Sequence, residues 1–397
     1  MILYFNPGHE TAVLNGSPYY TAPANIVTMQ NELSYLPAWY GATGDVVLVD
    51  TIEIPDYYQF LYQNLEALPM AVTNESLLNY SDEEVILWGI SPQSIYYWET
   101  LAAEQDISFT LPIWNDEYTF LNSRLFARNV LNEVIKMVPE VDSNISPQIF
   151  DSLEILETYL ENSSYPLLAK APYSSSGRGL LWLPPTGLTR TERQILHGIL
   201  KKQGNISVER VLDKQVDFAM EFMSDGKGNV SFEGYSLFYT NKKGGYEANF
   251  IGSQNRIENI LTSKISNILL DEVKKSLLNT LTEQYAKVYK GCIGVDMMIY
   301  KDGGVYKLHP CLEINMRYNM GYLAFKLYEN YVVPSSSGKF FIEFNATEGE
   351  IMKRHQENLL EYPISFADKR LESGYLALCP ISEKSKYRAY VVIENER

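Results

Sequence analysis

Residues 292–317 have the sequence CIGVDMMIYKDGGVYKLHPCLEINMR, which is the most informative motif of the chain. Apolar residues flank a KDGG turn at 301–304, a pattern that predicts two antiparallel strands joined as a β-hairpin. Asp296 lies on the first strand, and Glu313 and Asn315 lie near the end of the second. Carboxylate and amide oxygens are the ligands that hard cations such as Mg²⁺ prefer. The stretch therefore predicts a metal-binding face on an antiparallel sheet.

The strand register decides whether the two carboxylates can share one ion. Strand alternation places Glu313, Asn315 and Arg317 on one face. A turn centred on Asp302-Gly303 would pair Asp296 with His309, which leaves Asp296 and Glu313 too far apart. Because the following proline cannot donate to a ladder, a bulge near His309-Pro310 would close that gap. The alternative is a row of exposed polar residues, and the apolar neighbours of the row favour the metal site.

A second motif combines a strand lysine with a loop of small residues. Lys170 lies near the end of the predicted strand 166–171, and the Ser/Gly-rich segment 174–179 follows before another strand at 180–183. Small residues let backbone N–H groups approach an anion, and lysine and arginine neutralise phosphate charge. The loop leads to a strand and lacks GxxxxGK[ST], so it is not a Walker A loop. Taken alone, an ordinary Ser/Gly hairpin explains the pattern better.

A third motif lies where the predicted strand 205–212 ends. Glu209 belongs to this strand, and Asp217 opens the next one. A carboxylate here could accept hydrogen bonds from a ribose, and the backbone between the strands could contact the edge of an adenine. By itself the segment is an ordinary solvated loop with charges.

The N-terminal residues predict a separate α/β domain. Short apolar strands alternate with helical patterns, which is typical of an open parallel sheet. Ligands of such sheets bind beyond the carboxyl ends of the strands, so the loop Asn6-Pro7-Gly8-His9-Glu10 is a candidate binding loop, and a plain Pro-Gly turn is the equally weighted alternative. The predicted strands are 1–6, 45–50, 70–74 and 84–90, and the predicted helices are 25–36, 55–67 and 91–105.

The pattern changes after residue 115. An amphipathic helix is predicted at 117–137 and a long helical stretch at 261–289, with strands dominating between 205 and 252. The PSSSGK segment at 334–339 is the most linker-like stretch of the chain. Further predicted elements are a strand at 146–150 and helices at 152–161, 189–202 and 320–331.

Composition limits the classes of partner. The formal net charge is −16, which argues against nucleic acid or an anionic membrane as a partner. Three cysteines and four histidines make a disulfide framework or a Cys/His zinc site improbable. Neither a signal peptide nor an apolar run of about 18 residues occurs, so we expect a cytoplasmic protein.

Taken in order, the three motifs resemble the ATP-grasp superfamily over about residues 117–325. The resemblance implies an α/β (α+β) fold in which an N-terminal open α/β domain precedes a two-lobed domain that clamps ATP. The implied boundaries are 1–115 for the pre-ATP-grasp domain, 116–331 for the ATP-grasp domain, and 332–397 for a mixed C-terminal extension. Within the ATP-grasp domain, the small nucleotide lobe spans about 140–212 and the larger lobe about 213–331.

The resemblance also implies roles for individual residues. Lys170 and Arg178 stabilise the transferring phosphoryl group, and Arg317 steadies the acyl-phosphate or its oxyanion. Where the family usually carries a helix lysine, this chain offers Arg124 and Arg128. Asn249 stands where the lid loop of D-alanine–D-alanine ligases carries a lysine, so either Lys242 or Lys243 reaches the γ-phosphate instead or that contact is lost. The implied nucleotide-binding residues are Arg124, Lys170, Ser175, Ser176, Gly177, Arg178, Gly179, Glu209 and Asp217, the metal ligands are Asp296, Glu313 and Asn315, and the substrate candidates are Asn6, His9, Glu10 and Arg256.

The implied activity is ligation of a carboxylate to an amine or similar nucleophile through an acyl-phosphate, with ATP and Mg²⁺ or Mn²⁺ as cofactors. The implied substrates are small molecules or peptides, and a homodimer is an open alternative to the monomer. Two other functions stay open. One is a nucleotide-binding regulatory module with little turnover, which the loss of the lysine at Asn249 supports. The other is an ATP-grasp kinase that phosphorylates a small molecule.

Overall fold

A computed structural model describes residues 1–174, 179–184, 187–241 and 244–395. The chain divides into two compact units. The first unit contains residues 1–115, 247–257 and 317–397, and the second contains 116–246 and 258–316. The three-part division expected from the sequence stays a prediction. The mixed α/β fold class is confirmed.

The strands are numbered in chain order. They are β1 Ile2–Tyr4, β2 Val46–Leu48, β3 Met70–Val72, β4 Val85–Leu87, β5 Gln148–Phe150, β6 Leu167–Lys170, β7 Leu180–Leu183, β8 Ile206–Arg210, β9 Asp213–Asp225, β10 Val230–Thr240, β11 Tyr246–Ile251, β12 Lys290–Asp302, β13 Val305–Asn315, β14 Ser336–Phe344, β15 Ser365–Ala367, β16 Arg370–Ala377 and β17 Tyr387–Asn395.

The α-helices are numbered in the same way. They are α1 His9–Asn15, α2 Ala24–Glu32, α3 Pro55–Asn64, α4 Pro92–Gln105, α5 Glu117–Leu121, α6 Arg124–Met137, α7 Leu153–Glu161, α8 Arg190–Gln203, α9 Gln254–Thr262, α10 Asn267–Tyr285, α11 Met320–Tyr331 and α12 Glu350–Glu361. Short 3₁₀ helices cover Leu36–Trp39, Asn74–Tyr80 and Ser143–Ile145.

The first unit begins with the parallel sheet that the sequence predicts. Strand β1 pairs with β2 and β4, and β2 pairs with β3, all in parallel. Strands β1 and β2 are buried along their whole length, because apolar residues occupy both faces. Trp98 of α4 packs against this sheet and is fully buried.

A second sheet of the first unit is antiparallel and is built mainly from the C-terminal residues. Strand β14 pairs with β11 and β17, and β16 pairs with β17 and β15. The prediction of a linker at 334–339 is wrong, because β14 begins at Ser336. Its Ser/Gly composition is typical of a linker. In the sheet, however, the adjacent strands β11 and β17 form hydrogen bonds with its backbone and hold it extended.

The second unit contains two antiparallel sheets. We call the sheet with strand order β5-β8-β6-β7 and helices α7 and α8 the small lobe. We call the strands β13-β12-β9-β10, on which α6 and α10 pack, the large lobe. Outside the Ser/Gly segment, the motif residues of the second unit lie on strands of these two lobes and on the first turn of α6, namely Lys170, Glu209, Asp217, Asp296, Glu313, Asn315 and Arg124.

Both long helices predicted in the second unit are interrupted. The helix predicted at 117–137 is two helices, because the Ser123 hydroxyl accepts a hydrogen bond from the Phe126 N–H and starts α6. In the same way, Ser266 caps α10 and separates it from α9. Serine at such a position competes with the helix interior and favours a new N-terminus.

The structure offers no helix, within the ranges it describes, that is long and apolar enough to cross a membrane. Cys292, Cys311 and Cys379 are buried and form no disulfides, as their apolar neighbours predict.

His355 on α12 connects the folding stability of the first unit to pH. Its ring Nδ1 lies 2.8 Å from the hydroxyl oxygen of Tyr375 on β16. Burial, with the nearby Arg388 guanidinium, lowers the pKa of His355 to about 4. The imidazole therefore stays neutral in the folded protein under conditions in which it binds a proton in the unfolded chain.

Below a pH of about 6.5 the unfolded chain binds this proton and the folded protein does not. We therefore expect His355 to lower the free energy of unfolding by at most about 1.4 kcal/mol per pH unit as pH falls from about 6.5 to about 4. Urea unfolding of wild type and of His355→Gln across this range measures the difference. His197→Asn, on the exposed side of α8, is the matched control. Parallel curves for wild type and His355→Gln would contradict this assignment.

Candidate active site

The two carboxylates of the hairpin lie directly opposite each other. Asp296 on β12 pairs with Glu313 on β13, and Met298 pairs with His309. The predicted pairing of Asp296 with His309 is wrong, because the turn is centred on Gly303-Gly304 and Asp302 pairs with Val305. Directly opposed side chains on an antiparallel pair share one face with their Cβ atoms about 5 Å apart.

The bulge that the sequence predicts after His309 is confirmed. One residue of β12, Met297, faces three residues of β13 between the Met298 and Asp296 pairs. This irregularity moves Glu313 into line with Asp296. Beyond it, Asn315 pairs with Gly294, two residues along the same face. Three oxygen-bearing side chains therefore occupy one edge of the large lobe. Because β13 ends at Asn315, strand alternation does not extend to Arg317.

The structure adds a carboxylate to this face that the sequence analysis missed. Glu221 on β9 pairs with Gly294 of β12 on one side and with Gly234 of β10 on the other. It is fully buried and accepts a hydrogen bond from the Ser236 hydroxyl at 2.8 Å. The two glycines are neighbours of Glu221 across the sheet and not along the chain, so the sequence around Glu221 shows no pattern. Only the strand register reveals that Glu221 shares a face with Asp296.

Arg124 joins the hairpin to the small lobe. Its Nη2 lies 2.8 Å from Oε2 of Glu313, and its Nε donates to the carbonyl of Ala171 at 3.1 Å. The guanidinium is only 8% exposed. Because Arg124 is the first residue of α6, the cap at Ser123 fixes its position. The helix arginine therefore directly contacts one of the predicted metal ligands.

Lys170 and Glu209 form a buried ion pair in the small lobe. The Lys170 Nζ lies 2.5 Å from Oε1 of Glu209, and both side chains are mostly buried. The strands place them diagonally on one face, since Lys170 pairs with Ser207 and Glu209 pairs with Leu168. Two residues predicted to contact different parts of one nucleotide thus lie side by side.

Asp217 lies on the large lobe in a polar cluster. Its Oδ2 accepts hydrogen bonds from the Lys214 ammonium and from the Thr240 hydroxyl, each at 2.6 Å. Asp217 also pairs with Met298 of β12 in the strand register. It therefore lies in the row of the sheet next to the one that contains Asp296.

Part of the predicted lid lies outside the described residues, namely Ser175, Ser176, Gly177 and Arg178, as do Lys242 and Lys243. Gly179 is described, and its carbonyl accepts a hydrogen bond from the Ala171 N–H at 2.9 Å. The lid-like loop expected around Asn249 is instead strand β11, in which buried Asn249 pairs with Phe340. The loop prediction is therefore wrong at this position.

In the first unit, the loop after β1 is held against a second loop. The Asn6 side-chain amide donates to the Gly89 carbonyl at 2.7 Å and accepts from the Gly89 N–H at 3.1 Å. His9 is 1% exposed, and its ring lies so close to Gly89 that a β-carbon there would overlap it. Asn6 and His9 are therefore buried and hold the loop in place, and a substrate-binding role for them stays a prediction.

We expect Gly89→Ala to lower the free energy of unfolding by about 1–3 kcal/mol, because its methyl group would overlap the His9 ring. Gly198→Ala is the matched control, since Gly198 lies in α8 with open space at its Cβ position. This control is expected to raise stability by up to about 1 kcal/mol, because alanine favours the helix. Chemical denaturation of both variants tests the pair, and equal effects would refute the close contact at Gly89.

Glu10 and Arg317 form an ion pair in the first unit. Nε of Arg317 lies 2.5 Å from Oε1 of Glu10, and its Nη1 donates to the Tyr318 carbonyl at 3.1 Å. Burial raises the pKa of the Glu10 carboxyl, but Arg317, His9 and a backbone hydrogen bond together hold the pKa below its usual value. The fourth substrate candidate, Arg256, donates from Nη1 to the Ser337 hydroxyl at 3.0 Å.

The residues fit a hard divalent cation. Asp296, Glu313 and Asn315 present oxygen ligands on one face, in the chemistry that Mg²⁺ uses when it also binds phosphate. Among the described residues, no group of three His, Cys, Asp or Glu side chains is arranged to hold a metal, so Glu221 does not complete an all-acidic site. The fitting set is two carboxylates and an amide.

No protein-family model matches the chain, and no curated protein matches it. Solved structures with a similar fold include the biotin carboxylase domain dimer of Hydrogenobacter thermophilus 2-oxoglutarate carboxylase in complex with MgADP, ADP and bicarbonate. It is 12% identical, with 99% of this chain and 86% of that chain covered and a TM-score of 0.53.

Two further structures extend this likeness. Biotin carboxylase from Campylobacter jejuni, in complex with β-γ-ATP, is 12% identical over 100% of this chain and 87% of its own, with a TM-score of 0.52. N5-carboxyaminoimidazole ribonucleotide synthetase from Thermus thermophilus is 11% identical over 100% of this chain and 94% of its own, with a TM-score of 0.50. The chain therefore shares the fold of these structures, in agreement with the mixed α/β fold that its motifs predict.

Proposed function

We propose that this protein is an ATP- and Mg²⁺-dependent ligase that joins a carboxylate to an amine or similar nucleophile. The observation that carries the proposal is the register shift in the β12–β13 hairpin. It aligns Asp296 with Glu313 and adds Asn315 to the same face. The shift brings three hard oxygen ligands to one face, in a fold shared with structures that hold MgADP and β-γ-ATP.

The second unit supplies the nucleotide-binding residues of this proposal. Lys170 neutralises phosphate charge and, through its pairing with Glu209, is oriented before the nucleotide binds. Glu209 and the backbone after it bind the adenine, and Asp217 binds the ribose. Arg124, which contacts Glu313 of the hairpin, supplies positive charge for the phosphates in place of the family's lysine. The family resemblance assigns a phosphate-covering role to the segment from Ser175 to Gly179, of which Ser175–Arg178 lie outside the described residues.

Asp296, Glu313 and Asn315 would hold Mg²⁺, or Mn²⁺ in its place. When bound, the ion neutralises the terminal phosphates. Arg124 contacts Oε2 of Glu313, so this side chain has one further carboxylate oxygen for the ion. The arginine thus orients Glu313 and limits how far it can rotate.

The reaction is transfer of the γ-phosphoryl group to a substrate carboxylate, followed by displacement. A carboxylate oxygen attacks the γ-phosphorus, the bond to the bridging oxygen breaks, and ADP leaves with its electron pair. The amine then attacks the acyl carbon and phosphate leaves, while the amine loses a proton. Arg317 would steady the oxyanion, and Glu10 is a positioning residue because it holds the Arg317 guanidinium.

A screen for ADP release tests this function directly. The full chain is incubated with Mg²⁺, ATP and pairs of amino acids or small peptides, and ADP, phosphate and coupled product are measured. We expect ADP and free phosphate in equal amounts, but only when a carboxylate and an amine are both present. Phosphate retained on the product would instead show a kinase. Tight ATP binding without turnover on any pair would show a regulatory module.

A further inference from the structure

The proposed ATP site leaves His309, next to it, without a role. His309 lies on β13 at the start of the bulge and is 2% exposed. Neither ring nitrogen forms a well-aligned hydrogen bond with a described residue. Backbone groups of Ile145 and of His309 itself lie near the ring, and Glu209 and Lys170 of the small lobe act on it electrostatically.

Burying an imidazole without well-aligned hydrogen bonds lowers the stability of the folded protein. Burial lowers the pKa of His309 to about 4, so the ring is neutral at pH 7 and offers one N–H donor and one acceptor. Leaving buried donors and acceptors unsatisfied costs about 1–3 kcal/mol each. Phenylalanine or leucine would fill the same volume without that cost. The physical explanation to test is therefore that a bound ligand supplies the hydrogen-bond partner of His309.

The strand register places His309 at the nucleoside end of the proposed site. One row across the large lobe contains Glu313 and Asp296, the proposed metal ligands. The next row contains His309, Met298 and Asp217, the proposed ribose ligand. Two residues along a strand span about 7 Å, so this row lies about one sugar ring from the metal row. Glu209, the proposed adenine ligand, faces the same imidazole.

We infer that His309 hydrogen-bonds the purine base of the bound nucleotide and is a specificity-determining residue of this site. The inference rests on the proposed function, because it needs ATP bound between the two lobes. The base supplies the partner that the apo protein lacks, and the neutral ring can donate to a purine nitrogen or accept from an exocyclic amine. A hydrogen bond from His309 to the base offsets the free-energy cost of burying the imidazole.

The test compares a ligand that carries the base with one that lacks it. Binding of Mg-ATP and of Mg-tripolyphosphate to the full chain is measured by calorimetry for wild type and His309→Phe. We expect the Kd for ATP to rise about tenfold, the value of one neutral hydrogen bond, and the Kd for tripolyphosphate to stay unchanged. The melting temperature of the empty variant should be equal to wild type or higher, because the unsatisfied nitrogens are gone.

Two further variants complete the test. His309→Gln keeps a donor and an acceptor, so it should recover part of the lost ATP affinity and also serves if His309→Phe does not fold. His197→Phe, at an exposed position of α8, should change neither Kd. A destabilised His309→Phe that binds ATP like wild type would overturn the inference and leave the proposed function standing. A wild-type protein that binds no ATP would overturn both.

Discussion

Glu313→Gln is expected to lower the rate of ADP release by at least about 100- to 1,000-fold, the loss typical for removing one electrostatic group from a transition state. The amide is a poorer metal ligand and carries no charge. It also leaves the Arg124 guanidinium, 8% exposed, without its counter-ion. We therefore expect a loss of about 3 kcal/mol in the free energy of unfolding. Steady-state ADP release and urea unfolding measure the two effects separately.

The first unit contains a matched control for this variant. Glu343 likewise pairs with a buried arginine, Arg388, at 2.6 Å. Glu313 and Glu343 have similar exposure, with 26% and 21% of their side chains accessible. Glu343→Gln should lose comparable stability and keep its rate of ADP release. Equal rates for the two variants, at a temperature where both are folded, would show that Glu313 is structural and not a metal ligand.

Lys170→Met is expected to weaken ATP binding by at least about 100-fold, because it removes a phosphate-neutralising charge from a buried position. It also leaves Glu209 buried without its partner, which costs about 3 kcal/mol of stability. The double variant Lys170→Met/Glu209→Leu removes both charges. Its stability should return to near the wild-type value, because replacing a whole buried pair with apolar residues is often neutral.

Affinity for Mg-tripolyphosphate, which lacks the base that Glu209 is proposed to bind, distinguishes a binding role for Lys170 from a purely structural one. The double variant should regain stability without regaining affinity for tripolyphosphate, as measured by calorimetry. If affinity returned together with stability, Lys170 would serve only to balance Glu209. Measurement at two salt concentrations adds a check, since a contact between Lys170 and phosphate weakens as salt screens it.

The sequence predicted most of the local structure. Periodicity located the parallel strands of the first unit and the hairpin, because burial on one or two faces imposes a repeat that sequence shows directly. It failed at 334–339, where a Ser/Gly segment lacks an apolar repeat but forms β14 within a sheet. It also joined helices that Ser123 and Ser266 separate, since a single capping side chain outweighs a continuous apolar pattern.

For the candidate site, the sequence alone was enough to predict the chemistry. Residue type, spacing and order along the chain identify the candidates Asp296, Glu313, Asn315, Lys170 and Glu209. The proline after His309 also predicts the bulge, because it cannot donate to the ladder. Only the folded chain shows the exact strand register, the pairing of Arg124 with Glu313, and the positions of Glu221 and His309. These contacts depend on packing between residues far apart in the chain, so no local pattern encodes them.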